Sequence, residues 1–218
     1  MILGIYGSGG LGREVLELSK IINKNNRWDD IVFIDDNKNK SDCNGVKCYT
    51  FEEFIDNFKP ADSQIIIALG EPAVREVLYK KIIASSYQLA TLIHPNVVIP
   101  KDTKIGKGVV VNLGNYISCN VIIEDNTFLQ QYVVIGHDSI LQKHTVVSAF
   151  VAIAGHCSVG KSTYIGMHVP VREGISIGDN VIVGMGSCVV RDIPNDVVAL
   201  GNPARGMSKN EDKRVFKG

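Results

Sequence analysis

The sequence lacks the features that mark nucleic-acid-binding, membrane and secreted proteins. Its 23 lysines and arginines balance its 23 aspartates and glutamates, so no basic excess favours nucleic acid as a partner. No apolar run approaches the roughly 20 residues of a membrane helix, and the start, MILGIYGSGG, lacks the basic segment of a signal peptide. The five cysteines follow no disulfide or zinc spacing, which favours reduced thiols. We therefore expect a cytoplasmic protein with neither nucleic acid nor membrane as its partner.

What the sequence does contain is an aliphatic residue at every sixth position from Ile99 to Val189. The sixteen consecutive positions hold Ile, Leu or Val, and no insertion breaks the register. Neither a helix, with a period of about 3.6, nor a strand, with a period of about 2, holds such a phase. The repeat predicts a parallel β-helix of hexapeptides, in which three hexads form a triangular coil and the aliphatic side chains fill its interior.

The N-terminal part centres on a glycine-rich loop between a strand and a helix. A strand over 2–6 precedes Gly7-Ser8-Gly9-Gly10-Leu11-Gly12, and a helix is predicted over 13–24. Such loops bring backbone N–H groups at a helix N-terminus close to phosphates. Asp35-Asp36 ends the next strand, 30–34, at the spacing at which an acidic residue holds a ribose hydroxyl. The alternative, that the glycines only form a tight turn, stays open.

The remaining N-terminal elements complete a small α/β unit. We predict a helix over 50–58 with a Thr50–Glu53 capping box, a strand over 64–69 closed by Gly70, a helix over 72–84 and a strand over 89–93. The resulting unit of parallel strands and helices is too short for the two halves of a dinucleotide fold, so nucleotide binding in general is favoured over NAD. The predicted domains are residues 1–94 and 95–218.

Residues 18 apart lie above one another on adjacent coils, which places polar side chains in columns at the edges of the prism. Asp138 follows His137 and can orient its imidazole and raise its basicity. Gly155 stacks over His137 and offers a backbone N–H as an oxyanion donor. This arrangement indicates a general-base site. The alternative is that His137 and Asp138 are surface residues of a turn without a catalytic role.

A second set of histidines raises the question of a metal. His144, His156 and His168 are 12 residues apart, so within one chain they point to three different edges. No metal is therefore expected, and a site shared between copies of the chain is the remaining alternative.

These features together resemble a known family, the bacterial hexapeptide acyltransferases that acetylate sugars. That family includes UDP-4-amino-sugar N-acetyltransferases and sialic acid O-acetyltransferases. The similar segments are Ile5-Tyr6-Gly7-Ser8-Gly9-Gly10-Leu11-Gly12, Phe33-Ile34-Asp35-Asp36, Ala68-Leu69-Gly70, Leu92-Ile93-His94-Pro95, Ile135-Gly136-His137-Asp138 and Leu200-Gly201-Asn202-Pro203-Ala204-Arg205. The resemblance implies a Rossmann-like α/β domain followed by a left-handed β-helix. It also implies a homotrimer with active sites between neighbouring β-helices, and acetyl-coenzyme A as co-substrate.

The resemblance also assigns roles to residues. It makes His137 the general base and Asp138 its supporting acid, where many relatives carry Glu. Met167 and Met185, which are 18 apart and hence stacked, match acetyl-coenzyme A contacts, as does Val146. The residues that match the nucleotide-sugar site are Gly9, Gly10, Leu11, Asp35, Asp36 and Gly70, with Gln130 near the acceptor amine.

The expected reaction is acetyl transfer from acetyl-coenzyme A to the 4-amino group of a UDP- or dTDP-linked 4-amino-4,6-dideoxy sugar. Its product would serve surface polysaccharide, lipopolysaccharide or glycan biosynthesis. Two alternatives remain at this point: O-acetylation of sialic acid or another sugar, and a trimeric scaffold that binds a nucleotide-sugar without catalysis.

Overall fold

The N-terminal part is an α/β domain built on a mostly parallel sheet. The structure, a computed structural model, describes residues 1–37 and 42–216. The strands are β1 (Ile2–Tyr6), β2 (Asp30–Ile34), β3 (Asp42–Cys43), β4 (Val46–Tyr49), β5 (Ser63–Ile67) and β6 (Gln88–Leu89), and the helices are α1 (Gly10–Ile22), α2 (Phe51–Asn57) and α3 (Pro72–Ala84). The sheet order is β3-β4-β2-β1-β5-β6, with only the β3–β4 pair antiparallel. Chain connections diverge on either side of β1, so the loops after β1 and β5 meet at a topological switch point, where α/β sheets bind ligands.

Several predicted boundaries of helices and strands were wrong. Helix α1 begins at Gly10 rather than at residue 13, because the Arg13 N–H already donates to the Gly9 carbonyl at 3.1 Å, which makes Gly9 the N-cap residue. It ends at Ile22, where a 3₁₀ turn over Asn23–Asn25 replaces the last predicted residues. Strand β5 ends at Ile67, two residues before the predicted end. The β3–β4 hairpin lies between the predicted strand over 30–34 and the predicted helix over 50–58, where no strand is predicted.

The segment predicted as one strand over 89–93 serves two sheets instead. Leu89 belongs to β6, and the Ala90 N–H donates to the carbonyl of Ile65 in the α/β sheet. Two residues later the Leu92 N–H donates to the carbonyl of Val109 in the β-helix. The capping box of α2 is confirmed, with Thr50 and Glu53 each donating a backbone N–H to the other's side chain.

The C-terminal part is the predicted three-sided parallel β-helix. Its short strands β7 to β21 are Leu92–Ile93, Lys104–Ile105, Val110–Val111, Tyr116–Ile117, Ile122–Ile123, Phe128–Leu129, Val134–Ile135, Ile140–Leu141, Val146–Val147, Ala152–Ile153, Ser158–Val159, Tyr164–Ile165, Pro170–Val171, Ser176–Ile177 and Ile182–Val183. Strands β22 (Val197–Leu200) and β23 (Arg205–Lys209) close the top. The repeated aliphatic side chains form one interior core. Among the described residues, no helix combines the length and apolar character needed to span a bilayer.

We name the three faces in the order in which the chain visits them. The first face contains Phe128–Leu129 and Val146–Val147, the second Val134–Ile135 and the third Ile140–Leu141. Each face pairs strands that are 18 residues apart. The edges between faces are called first–second, second–third and third–first.

One residue of each hexad at these edges has a left-handed backbone. From Gly108 to Gly186, every sixth residue has a φ between 52° and 75°. Glycine adopts this region freely and Asn or Asp at moderate cost, whereas other side chains pay more. The series nevertheless includes Tyr132, His144 and Phe150. The turn therefore projects bulky and polar side chains outward at each edge, and this is where the candidate chemistry lies.

Helix α3 docks the α/β domain onto the third–first edge. The buried Arg75 guanidinium donates to the backbone carbonyl and Oδ1 of Asn126, both at 2.7 Å from Nη2, and to the carbonyls of Ile67 and Leu69 at 2.8 and 3.0 Å. Burial lowers the pKa of Arg75 to about 9. Because Ile67 and Leu69 flank the end of β5, this one side chain fixes the loop before Gly70 relative to the β-helix.

His144 in this junction predicts a pH dependence of stability. Burial lowers the pKa of His144 to about 4, and its Nδ1 lies 2.9 Å from the Asn126 amide nitrogen, a donor that only the unprotonated Nδ1 can accept. The unfolded chain binds a proton near pH 6.5, whereas the folded chain resists it until about pH 4. Acidification from pH 7 to 5 should therefore lower the free energy of unfolding by about 2 kcal/mol.

Urea unfolding at the two pH values would measure this effect. His144→Asn keeps a residue that tolerates the left-handed turn and removes the titration, so its stability should change less with pH. His168→Asn, at the equivalent but exposed turn position, is the matched control and should behave as the wild type. An unchanged pH dependence in His144→Asn would contradict the assignment.

Candidate active site

The glycine-rich loop contains glycines of two kinds. Gly7 has a φ of 115°, and a Cβ on Gly12 would lie 1.9 Å from the Gly7 carbonyl oxygen, so the turn itself requires these two. A Cβ on Gly9 or Gly10 would meet nothing within 4 Å. Helix α1 has no side-chain cap at Gly9, which leaves its first N–H groups able to bind an anion. A tight turn explains Gly7 and Gly12 but not the open surface at Gly9 and Gly10.

The two acidic residues predicted to contact the nucleotide also hold the loop together. Asp35 Oδ2 accepts from the N–H and hydroxyl of Ser8 at 3.1 and 2.5 Å. Asp36 accepts from Tyr6 Oη at 2.5 Å and from Lys81 Nζ at 2.8 Å. Burial would raise the pKa of Asp36, but these hydrogen bonds outweigh it and lower the pKa. Both carboxylates lie at the carboxyl end of β2, where their first task is to position the loop.

A cavity of about 250 Å³ lies between this loop and the first face of the β-helix. It is lined by Gly10, Leu11, Glu14 and Gly70 on the α/β side and by Gln130, Val146, Tyr164 and Phe216 on the other. Five residues predicted separately, Gly10, Leu11, Gly70, Gln130 and Val146, therefore meet here. Gln130 is oriented because its Oε1 accepts from the Ala149 N–H at 2.9 Å.

Three lining residues were missed from the sequence. Tyr164 pairs with Val146 across adjacent coils, so the 18-residue spacing could have found it. Glu14 lies one turn after the start of α1, so the position of the glycine-rich loop could have indicated it. Phe216 has no repeat partner, and no pattern pointed to it.

At the second–third edge, His137 and Asp138 form the predicted pair. His137 Nδ1 lies 2.8 Å from Asp138 Oδ2, and the Asn120 amide donates to Asp138 Oδ1 at 3.1 Å. The hydrogen bond from His137, followed by that from Asn120, lowers the pKa of Asp138. With Nδ1–H held by the carboxylate, the imidazole presents Nε2 as its basic nitrogen.

Gly155 lies directly against this imidazole, as the stacking predicted. A Cβ on Gly155 would be 2.6 Å from Cε1 and 2.7 Å from Nε2 of His137. Within the described chain, the Gly155 N–H has no hydrogen-bond acceptor, so it is a candidate oxyanion donor beside the base. The His156 ring packs edge-on against His137, with ring centroids 4.9 Å apart.

One group of side chains at this edge has the composition of a metal site. Ligand atoms of His137, His156 and Glu173 lie within 4.8 Å of one another, and all three residues are exposed. Glu173 is two coils above His137, a relation that the stacking arithmetic could have revealed. His144 packs on Tyr79 and His168 on Phe150, so these histidines lie at the other two edges, as expected from their spacing.

The predicted site residues thus fall in three places on one chain. The cavity is on the first face, whereas His137 lies on the edge opposite that face. Met167 and Met185 lie at the first–second edge, stacked through the hydrogen bond from the Gly186 N–H to the Met167 carbonyl at 2.8 Å. They are 37% and 74% exposed. A single chain does not bring the cavity and the candidate base together.

Comparison with known proteins agrees with this architecture. The family model described as the PglD N-terminal domain matches residues 3–82. The acetyltransferase domain of PglB from Neisseria gonorrhoeae FA1090 has 26% identity and a TM-score of 0.89, over 94% of this chain and 99% of that one. PerB from Caulobacter crescentus, solved with CoA and GDP-perosamine, has 27% identity and a TM-score of 0.86, over 95% and 98%.

WeeI from Acinetobacter baumannii AYE has 27% identity and a TM-score of 0.78, over 95% of this chain and 100% of that one. No curated protein matches the sequence. These similarities confirm the predicted fold class, a Rossmann-like domain followed by a left-handed parallel β-helix.

Proposed function

Since the chain belongs to the hexapeptide-repeat sugar acetyltransferase family, we propose that it acetylates the 4-amino group of a nucleotide-linked 4-amino-4,6-dideoxy sugar. The observation that carries this proposal is the cavity that joins Gly10, Leu11 and Gly70 to Gln130. The cavity brings a glycine-rich loop of the phosphate-binding kind next to the Gln130 side chain, which can form hydrogen bonds with a sugar. PerB was solved with GDP-perosamine, which adds GDP to UDP and dTDP as the nucleotide to test.

The geometry suggests how the reaction proceeds. The sugar amine attacks the thioester carbon of acetyl-coenzyme A, and His137 Nε2 takes the proton that the amine loses. Asp138 stabilises the resulting imidazolium through Nδ1–H, and the Gly155 N–H stabilises the oxyanion. The carbon–sulfur bond then breaks, and the coenzyme A thiolate leaves and recovers the proton.

We propose that the working unit is a homotrimer in which His137 of one copy faces the cavity of the next. The separation of cavity and base on one chain supports this, because the site is incomplete without a second copy. The second face also has an exposed apolar strip suited to burial between copies, formed by Tyr116, Val134, Ala152 and Pro170. Stacked Tyr132 and Phe150 lie beside it, with ring centroids 5.3 Å apart.

Mixed trimers would test the shared site. His137→Ala removes the base. Gly10→Asp adds a carboxylate in open space at the helix N-terminus, where it should repel phosphates without disturbing the fold. Each variant alone should be inactive, whereas trimers from equal amounts of both should regain about one quarter of wild-type turnover, because each shared site needs one intact half from each variant. No recovery in verified mixed trimers would place the whole site within one chain.

Thiol release with acetyl-coenzyme A would test the reaction itself. The panel consists of UDP-, dTDP- and GDP-linked 4-amino-4,6-dideoxy sugars and free sialic acid. Turnover on a nucleotide-linked amine is expected. Turnover on sialic acid alone would favour the O-acetyltransferase alternative, and coenzyme A binding without turnover on any acceptor would favour the scaffold. The proposed setting is the cytoplasm, with the product destined for surface polysaccharide or glycan.

A further inference from the structure

The C-terminal segment after β23 returns to the cavity rather than leaving the molecule. It is anchored at Asn210, which is buried and donates its side-chain amide to the carbonyl of Asn180 at 2.9 Å and its N–H to the carbonyl of Asp196 at 2.8 Å. Asn180 lies at the third–first edge, the edge onto which α3 docks. The segment is therefore directed from the top of the β-helix towards the α/β domain.

A carboxylate of the α/β domain holds the far end of this segment. The Val215 N–H donates to Glu71 Oε1 and Oε2 at 2.9 and 3.0 Å, and the Phe216 N–H donates to Oε2 at 3.3 Å. Glu71 follows Gly70 directly and is the N-cap residue of α3. This contact ties the last described residues to the loop after β5, which lines the cavity.

The Phe216 side chain forms part of the cavity wall. Its ring packs edge-on against Tyr164, with centroids 5.7 Å apart, and a Cβ on Gly70 would lie 3.2 Å from the ring. The hydrogen bond to Glu71 holds the Phe216 backbone in place, while the residue as a whole is 61% exposed. With Tyr164, Val146 and Leu11, it gives one side of the cavity an apolar surface, while Glu14 and Gln130 are polar.

We infer that Phe216 is a specificity-determining residue, which with Tyr164 forms the wall that receives the deoxygenated C6 methyl side of the acceptor sugar. This inference rests on the proposed function. A methyl group can pack against two aromatic rings and Val146. A hydroxymethyl group at the same place would leave its hydroxyl without a hydrogen-bond partner, which disfavours sugars that keep oxygen at C6.

Direct binding would test the wall without requiring turnover. Calorimetric titration would compare UDP-, dTDP- and GDP-linked 4-amino-4,6-dideoxyglucose with the bare UDP, dTDP and GDP. Phe216→Ala should raise the Kd of the nucleotide-sugar about tenfold, the low end of what one methylene-sized contact contributes to discrimination. The Kd of the matching nucleoside diphosphate should stay unchanged, because the phosphates bind at the glycine loop.

Three further variants sharpen the comparison. Phe216→Leu should recover part of the lost affinity because it restores apolar surface. Glu71→Ala should reproduce the Phe216→Ala effect by releasing the segment. Met207→Ala changes a similarly exposed apolar residue of β23, which lies before this segment and outside the cavity, and should match the wild type.

The outcomes separate this inference from the proposed function. Equal losses for the nucleotide-sugar and the nucleoside diphosphate, or tighter nucleotide-sugar binding in Phe216→Ala, would overturn the wall. If Phe216→Ala leaves the Kd and KM of the nucleotide-sugar unchanged and the enzyme acetylates the panel normally, the wall is contradicted and the proposed function is supported. The expected Kd pattern in a protein that never releases thiol would support the wall and contradict the function. Binding of none of the panel by the wild type would contradict both.

Discussion

Replacing His137 with alanine is expected to lower kcat for acetyl transfer by about 10²- to 10⁴-fold, the usual contribution of a positioned general base. The imidazole is the group at the second–third edge whose Nε2 is left basic by the hydrogen bond from Nδ1 to Asp138. The side chain is 47% exposed and outside the interior core, so the prism should remain folded. Steady-state thiol release and a thermal unfolding curve would measure the two properties.

Two variants control this result. His168→Ala removes an exposed histidine from a turn at another edge, at the hexad position of Asp138, and should not share the loss of the base. Asp138→Asn keeps a side chain that can accept from Nδ1–H but loses the charge that stabilises the imidazolium, so its loss should be smaller than that of His137→Ala. Near-wild-type kcat in folded His137→Ala would show that the amine loses its proton elsewhere, with His156 as the nearest imidazole.

The sequence predicted the β-helix well because its period constrains every inward side chain. Each hexad repeats the same requirement for an apolar residue at its inward position, such as Ile135 or Ile153, so a polar residue at any of these positions would have contradicted the prediction. The same arithmetic placed Gly155 over His137, and the distances between the two residues confirm the stacking. It could also have found Tyr164 and Glu173, which lie in the columns of Val146 and His137.

The parts that could not be predicted depend on contacts without a period. The α/β domain sits over the first face because Arg75 meets the Asn126 turn, and nothing in the repeat marks that turn as a docking point. Because of that placement, the cavity and His137 lie on different sides of the β-helix. The position of Phe216 likewise depends on a single carboxylate, Glu71, more than 140 residues earlier in the sequence.

The acidic pair after β2 shows a related limit. Spacing predicted Asp35 and Asp36 as nucleotide contacts, and spacing reports only that a carboxylate is available at the right strand end. The structure adds that Asp36 already accepts from Tyr6, Lys81 and the Phe51 N–H. The spacing of a motif therefore does not distinguish a residue that contacts a ligand from one that holds the surrounding loops in place.

Gly155→Ala is expected to lower kcat about 10²-fold, the size of loss that a misplacement of about 1 Å produces. The new methyl group would lie 2.6 to 2.7 Å from the His137 ring, closer than any contact that carbon tolerates. The ring is half-exposed and can swing towards solvent, so the protein should accommodate the methyl by moving the base and keep its stability within about 1 kcal/mol. Thiol-release kinetics and thermal unfolding would separate activity from stability.

A double-mutant cycle with His137→Ala would show how Gly155 acts. If the methyl group impairs catalysis only by displacing the imidazole, it has nothing left to displace in His137→Ala, and the double variant should be as active as His137→Ala alone. If the losses multiply instead, alanine also disturbs the N–H that faces the oxyanion, and Gly155 contributes independently of the base. Gly160→Ala, away from His137, provides the contrast, because its Cβ would lie 2.4 Å from the backbone of Gly178 in the next coil, which cannot swing away. That variant should lose stability, whereas Gly155→Ala should lose activity, and the same defect in both would contradict the assignment of Gly155 to the site.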